Sequence, residues 1–223
     1  MTTVPKMKVE VWSDIMCPFC YIGKRNYEAA LEQFVDRNNV EIEWHSFQLD
    51  PTIPAHNEKK ASVYQYLADR KGISYEQSVK MHERIIQTAK AAGLTYHLDK
   101  AIVANSYDAH KMIQLAKTKG LGDAAEERLF LAYFTEGADM GDPEQLLKLG
   151  KEIGLTESDI LGALDSDEYA YLVKQDIQEA QSIGVTGVPF FVFNRKYAVS
   201  GAQPPQIFLQ TLEQSFKEWE RAE

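Results

Sequence analysis

Apolar and polar residues alternate from Lys8 to Trp12, with Val9 and Val11 sharing one face. They alternate again from Val40 to Phe47, where Val40, Ile42 and Trp44 stand against Glu41, Glu43 and His45. A period of two is that of a half-buried strand. Between the two stretches the period changes. Ala30, Leu31, Phe34 and Val35 recur at helical spacing to about Arg37, and Asn38-Asn39 reads as the stop. Pro18 suits the first position of this helix, because its φ is already helical and its missing amide had no partner to lose. The chain therefore opens as strand, helix, strand.

From Pro51 to about Ser166 no strand pattern recurs, while helix punctuation does. Gly72, Gly93, Gly120, Gly137 and Gly154 each follow a periodic segment, as residues that end helices in the left-handed conformation should. Ser74 with Gln77, Asp123 with Glu126, and Asp142 with Pro143 and Gln145 read as the matching starts. Gly120-Leu121-Gly122 has no strand before it, so it reads as a junction between helices and not a nucleotide loop. A stretch of this length is too long for a loop and predicts an inserted helical subdomain. The β pattern then returns. A helix from Asp167 to Ile183 ends at Gly184, two β-rich runs flank Asn194-Arg195 as in a hairpin, and a closing helix follows Pro204-Pro205. Phe208, Leu212, Phe216 and Trp219 fall on one side of that helix.

Composition narrows the function classes. With 44% hydrophobic residues in 223, the chain can bury a core and is not a disordered segment. Its 24 Lys+Arg against 33 Asp+Glu give a net charge of −9 with no dense basic cluster, which argues against nucleic acid as a partner. No run of apolar residues is long enough for a membrane span or a signal-peptide core, so no membrane contact and a cytoplasmic location are expected. There are two cysteines, Cys17 and Cys20, placed between the first strand and the first helix. In a reducing compartment such a pair points to catalysis, redox sensing or metal binding before a structural staple.

Four segments, in order, carry a resemblance over nearly the whole chain: Cys17-Pro18-Phe19-Cys20, Phe47-Gln48-Leu49-Asp50-Pro51, Asn105-Ser106-Tyr107-Asp108-Ala109-His110, and Gly187-Val188-Pro189-Phe190-Phe191. Together they resemble the DsbA-like branch of the thioredoxin superfamily, and within it the cytosolic FrnE-like subgroup. The resemblance implies an α/β class, a thioredoxin-like fold with a large inserted all-α subdomain. Residues 1–52 and 167–223 would form the discontinuous thioredoxin-like domain, and 53–166 the insert. It also implies that Pro189 is cis and faces the cysteines, and that the Val188 backbone offers a strand edge to a peptide substrate.

The residues themselves suggest the chemistry. At a helix N-terminus the Cys17 sulfur meets free backbone N–H groups and the positive end of the helix dipole, both of which favour thiolate. Cys17 is the expected nucleophile. Cys20, one turn on, is placed to attack a mixed disulfide formed at Cys17. Pro18 and Phe19 are the expected tuning residues; Phe19 stands where DsbA-type sites often carry His, which predicts a less oxidising pair. No cofactor beyond the redox-active disulfide is expected, with glutathione as a possible co-substrate and protein or small-molecule thiols and disulfides as partners.

Other readings stand beside this one. A structural bridge closing so short a loop would contribute only about 2 kcal/mol. A zinc site needs two further ligands, and His45, His56, His82, His97 and His110 show no short paired spacing, so no metal is expected. Glutathione-dependent isomerases and transferases share the scaffold, but they typically carry Ser at the Cys17 position and an Asp-Arg pair where this chain has Ser200-Gly201-Ala202-Gln203. A redox-sensing binding module is the non-enzymatic reading. Asn105 and His110 could line a cleft, though the plainer expectation is a helix start at Asn105 or Ser106 and a packed or surface His110. Asp14 could move protons, but an exposed loop carboxylate is the plainer expectation. Phe130, Tyr133 and Phe134 are expected in the core, some of them walling the site.

Overall fold

The structure, a computed structural model, describes residues 5–55 and 61–221. His56 and the first four residues lie outside the described residues. The opening pattern forms β1 (Met7–Ser13), α1 (Pro18–Gln33) and β2 (Val40–Ser46). The helical stretch forms α2 (Val63–Lys71), α3 (Tyr75–Ala91), α4 (Tyr107–Thr118), α5 (Gly122–Leu131), α6 (Pro143–Glu152) and α7 (Glu157–Leu164). The chain closes with α8 (Asp167–Ser182), β3 (Phe190–Phe193), β4 (Tyr197–Ser200) and α9 (Pro205–Trp219).

The sheet order is β2-β1-β3-β4, with β1 parallel to β2 and antiparallel to β3, and β3 antiparallel to β4. Alternation along β1 splits the packing between the two faces. Met7, Val9 and Val11 pack with Tyr27 and Ala30 of α1 and with Phe208, Leu212 and Phe216 of α9. Trp12 points the other way, to Ala180 of α8 and Val192. A third cluster fills the helical part, and it includes Cys17, Cys20, Tyr21 and Ile22 from the start of α1. The cysteines thus sit where the core of the helices meets the sheet.

Most of the helix punctuation is as the sequence predicts. Gly72, Gly93, Gly120, Gly137 and Gly154 all have positive φ, and Ser74 with Gln77 forms a capping box. Asp142 caps α6 ahead of Pro143. Asn194 and Arg195 both have positive φ, 49° and 53°, the signature of a type I′ hairpin turn.

Two boundaries differ from expectation. Helix α1 stops at Gln33 and not near Arg37, because Phe34 turns to an extended conformation and meets Phe216 edge-on at 5.4 Å. Asp123 does not cap α5. Its carboxylate instead accepts from the Trp44 indole N–H at 3.0 Å and pairs with Lys24 at 3.2 Å, while Glu126 is buried. A tertiary ion pair and an indole partner replace the local cap.

Candidate active site

Cys17 is the N-cap of α1, with Pro18 at the first helical position. Its backbone N–H donates to Asp14 O at 2.9 Å, and Cys20 N–H donates to Cys17 O at 3.0 Å, so a tight turn hands the chain from β1 to the helix. The turn is held from the insert as well: the Tyr96 hydroxyl donates to Pro18 O at 2.7 Å. Val188-Pro189 is a cis peptide bond, and the Cys17 thiol donates to Val188 O at 3.4 Å. The Pro189 carbonyl accepts from Gly201 N at 2.8 Å. Beneath it Gly23 permits a close approach, since a Cβ there would stand 2.9 Å from Pro189 Cγ. Cys17, Pro18, Phe19, Cys20, Val188 and Pro189, scattered over more than 170 positions, therefore meet at one helix end.

The two thiols differ in environment. Both are buried, Cys20 completely. Burial pushes the Cys20 thiol well up, and the adjacent Cys17 adds to the effect through a hydrogen bond and its charge; Ser13 and the Asp14 backbone act weakly in the other direction. Burial, then Cys17 and Cys20 themselves, also push the Tyr96 phenol up, so it stays a neutral donor beside the pair. Phe19, by contrast, is 42% exposed.

One expectation at the site changes. Asp14 is not an exposed loop carboxylate: it is 1% exposed and clamps two loops, accepting from Met16 N at 3.1 Å and Leu49 N at 2.7 Å. The signal for this was present, because Asp at the first position of a turn commonly accepts from the amide two residues on. His110 is packed, fully buried, with Nε2 3.5 Å from Asp14. Ser106 is the N-cap position of α4 but makes no side-chain cap; the Asn105 side chain before it accepts from Tyr107 N at 2.8 Å and from Gln48 Nε2 at 3.0 Å. Phe130, Tyr133 and Phe134 are core residues, and Tyr133 also reaches the site's groove. Tyr96 was missed by sequence reasoning, since nothing local marks a tyrosine that reaches across 78 positions.

A groove of about 440 Å³ opens beside Cys17, between the cysteine loop and helices α2 and α3. Phe19, Leu49, Tyr66, Met81 and Val188 line it with Cys17. An apolar trough beside a thiol suits an extended segment with a bulky side chain near its sulfur.

The DsbA-like thioredoxin domain model matches residues 8–213. The chain belongs to the DsbA-like thioredoxin family. A probable DsbA oxidoreductase from Streptomyces coelicolor is 36% identical, superposes with a TM-score of 0.89, and the match covers 95% of this chain and 91% of that one. The cytosolic disulfide reductase DsbM from Pseudomonas aeruginosa shares the fold at 18% identity and a TM-score of 0.67, over 94% and 98% of the two chains. An uncharacterized protein of Bacillus subtilis (strain 168), YwbO, is 27% identical over 90% of this chain and 92% of its own. The fold is that of thiol–disulfide oxidoreductases, a mixed four-strand sheet with a helical insertion. No helix among the described residues is long and apolar enough to cross a membrane.

Proposed function

We propose that this chain is a thiol–disulfide oxidoreductase acting through Cys17 and Cys20. The observation that carries the reading is the Cys17 thiol at the N-terminus of α1, 3.4 Å from Val188 O beside cis-Pro189, with Cys20 buried one turn on. Cys17 thiolate attacks one sulfur of a substrate disulfide; a mixed disulfide forms and the other substrate sulfur leaves as thiolate. Cys20 then loses its proton and attacks the Cys17 sulfur, which releases the second substrate thiolate. The enzyme ends as a disulfide and the substrate as a dithiol, two electrons having passed; run backwards, the same steps oxidise a dithiol. The raised Cys20 pKa times the second step. Part of that rise comes from Cys17, and it is relieved when the mixed disulfide removes the charge from Cys17.

Substrates are protein or small-molecule thiols and disulfides in the cytoplasm, with Val188 and Pro189 forming the backbone that meets them. Glutathione as a co-substrate is supported by the DsbM structure with GSH, a fold neighbour at 19% identity and a TM-score of 0.66. Phe19 gives the Cys17 sulfur no donor, so the pair is less oxidising than a periplasmic oxidant, with a potential more negative than about −120 mV.

The test is trapping. Cys20→Ser is expected to accumulate mixed disulfides on Cys17 in cells and to lose turnover in insulin reduction. Cys17→Ser is expected to lose both. Activity that survives Cys17→Ser, with stoichiometric glutathione binding, would replace this reading with a glutathione-dependent isomerase or transferase. Absence of turnover in the wild type, with substrate affinity set by redox state, would make the protein a binding module.

A further inference from the structure

The sheet face away from α1 and α9 carries a second cluster, with no part in the thiol chemistry. Glu10 of β1 and Glu43 of β2 stand directly opposite each other in the parallel register, and His45 lies two residues along, opposite Trp12. Like charges directly opposed on a sheet repel, and Lys8, Lys117 and Arg195 offset part of that repulsion from around the pair. One ligand-capable atom from each of Glu10, Glu43 and His45 lies within 4.8 Å of the others. The side chains of Glu10 and His45 are 3% and 7% exposed. Glu10 Oε2 and His45 Nε2 are both buried without a hydrogen-bond partner, Nε2 lying 3.4 Å from Glu10 Oε1.

The positive groups nearby engage three of the four carboxylate oxygens, both of Glu43 and Oε1 of Glu10, and leave Glu10 Oε2. Lys8 Nζ reaches Glu43 Oε2 at 3.0 Å, Lys117 lies 3.7 Å from Glu43 Oε1, and Arg195 pairs with Glu10 Oε1 and with Glu179. Lys8, Arg195 and Asn194 rim a cavity of about 480 Å³ that Glu10, Glu43 and His45 also line. There is room in it for an ion and its water.

His45 is held as a metal-binding imidazole is held. Its Nδ1 lies 2.8 Å from Asp176 Oδ1, and Asp176 Oδ2 in turn accepts from Ser46 N at 2.7 Å and Gln114 Nε2 at 2.6 Å. Trp12 stacks on the ring at 4.6 Å with planes 16° apart. In the neutral imidazole that gives Nδ1–H to the carboxylate, Nε2 carries the lone pair, beside Glu10.

We propose that Glu10, Glu43 and His45 form a binding site for a divalent first-row cation of the Zn²⁺ type, with Asp176 as the positioning residue for His45. One imidazole and two carboxylates are a donor set that suits Zn²⁺, whereas Ca²⁺ and Mg²⁺ favour oxygen alone. The cation takes up the unpartnered Glu10 oxygen and the Nε2 lone pair, and leaves a position for water. Arg195, 55% exposed on its hairpin, is the competing cation: it keeps its bond to Glu179 and gives up Glu10 when the metal enters.

The test is titration of the protein with ZnCl₂ by calorimetry, with Cys17 and Cys20 oxidised to a disulfide so that no thiol competes. One equivalent is expected to bind. Asp176→Asn is expected to weaken it by about 10–100-fold, the usual cost of losing the carboxylate behind a ligating His. Glu43→Gln, at a side chain 33% exposed and so least disturbing to folding, is expected to weaken it at least as much, and Arg195→Ala to tighten it. No saturable binding at about 1 mM Zn²⁺ would overturn the proposal, as would wild-type affinity in both Glu43→Gln and Asp176→Asn. In either case the cluster is an ion-pair network only. The thiol assays above are independent of this outcome.

Discussion

Glu126 offers the sharpest test of how this core is held. It sits on α5, 1% exposed, with Oε2 lacking any hydrogen-bond partner. Burial, then the carboxylates of Asp123 and Asp14, push its pKa from an ordinary 4.5 up to about 8, against the pull of Lys24 and Lys117. Between those two values the native protein holds a proton that the unfolded chain releases, so stability falls as pH rises. The stability is fully present below the unfolded value and is lost by the time pH passes about 8. Over this span of roughly 3.5 pH units, at about 1.4 kcal/mol each, the loss reaches at most about 5 kcal/mol. Glu126→Gln keeps the shape and is neutral at every pH. Urea melts of both proteins from pH 4.5 to 9, at unchanged m-value, should show the variant gaining on the wild type by several kcal/mol as pH rises. Other groups titrate alike in the two proteins, and any cost of the extra amide N–H is an offset without slope. Two pH–stability curves that stay parallel within about 0.5 kcal/mol would refute the reasoning.

Two further variants probe neighbouring parts. Gly23→Ala places a Cβ 2.9 Å from Pro189 Cγ and 3.4 Å from the Phe191 ring, so it should cost about 1–3 kcal/mol and slow exchange by shifting Pro189 against Cys17. Insulin reduction at the wild-type rate with an unchanged melt would contradict that. Lys24→Met removes an ammonium 2% exposed that pairs with Glu28, Asp123 and Glu127, whose side chains are a third to a half exposed and keep water. The expected loss is about 1–3 kcal/mol, less than for a fully buried pair. The same variant should push the Glu126 titration further up, seen as a fall of stability that continues to higher pH than in the wild type; a fall that levels off at the same pH would show that the two do not interact.

Local signals along the chain mark most of the elements. Period two over β1 and β2, glycines at helix ends and Ser74 with Gln77 are local signals, because backbone sterics and capping act within a few residues. Cys17 and Cys20 could be placed at a helix start for the same reason. Tertiary structure alone decided what those groups meet. Phe34 leaves its helix for Phe216, Asp123 abandons a cap for Trp44 and Lys24, Asp14 is buried between two loops, and Tyr96 crosses to Pro18. Each of these is a contact between residues distant in the chain. In each a long-range partner outweighs a local preference of about 1 kcal/mol, and for Asp14 and Tyr96 the setting is buried, where an unpaired polar group is costly.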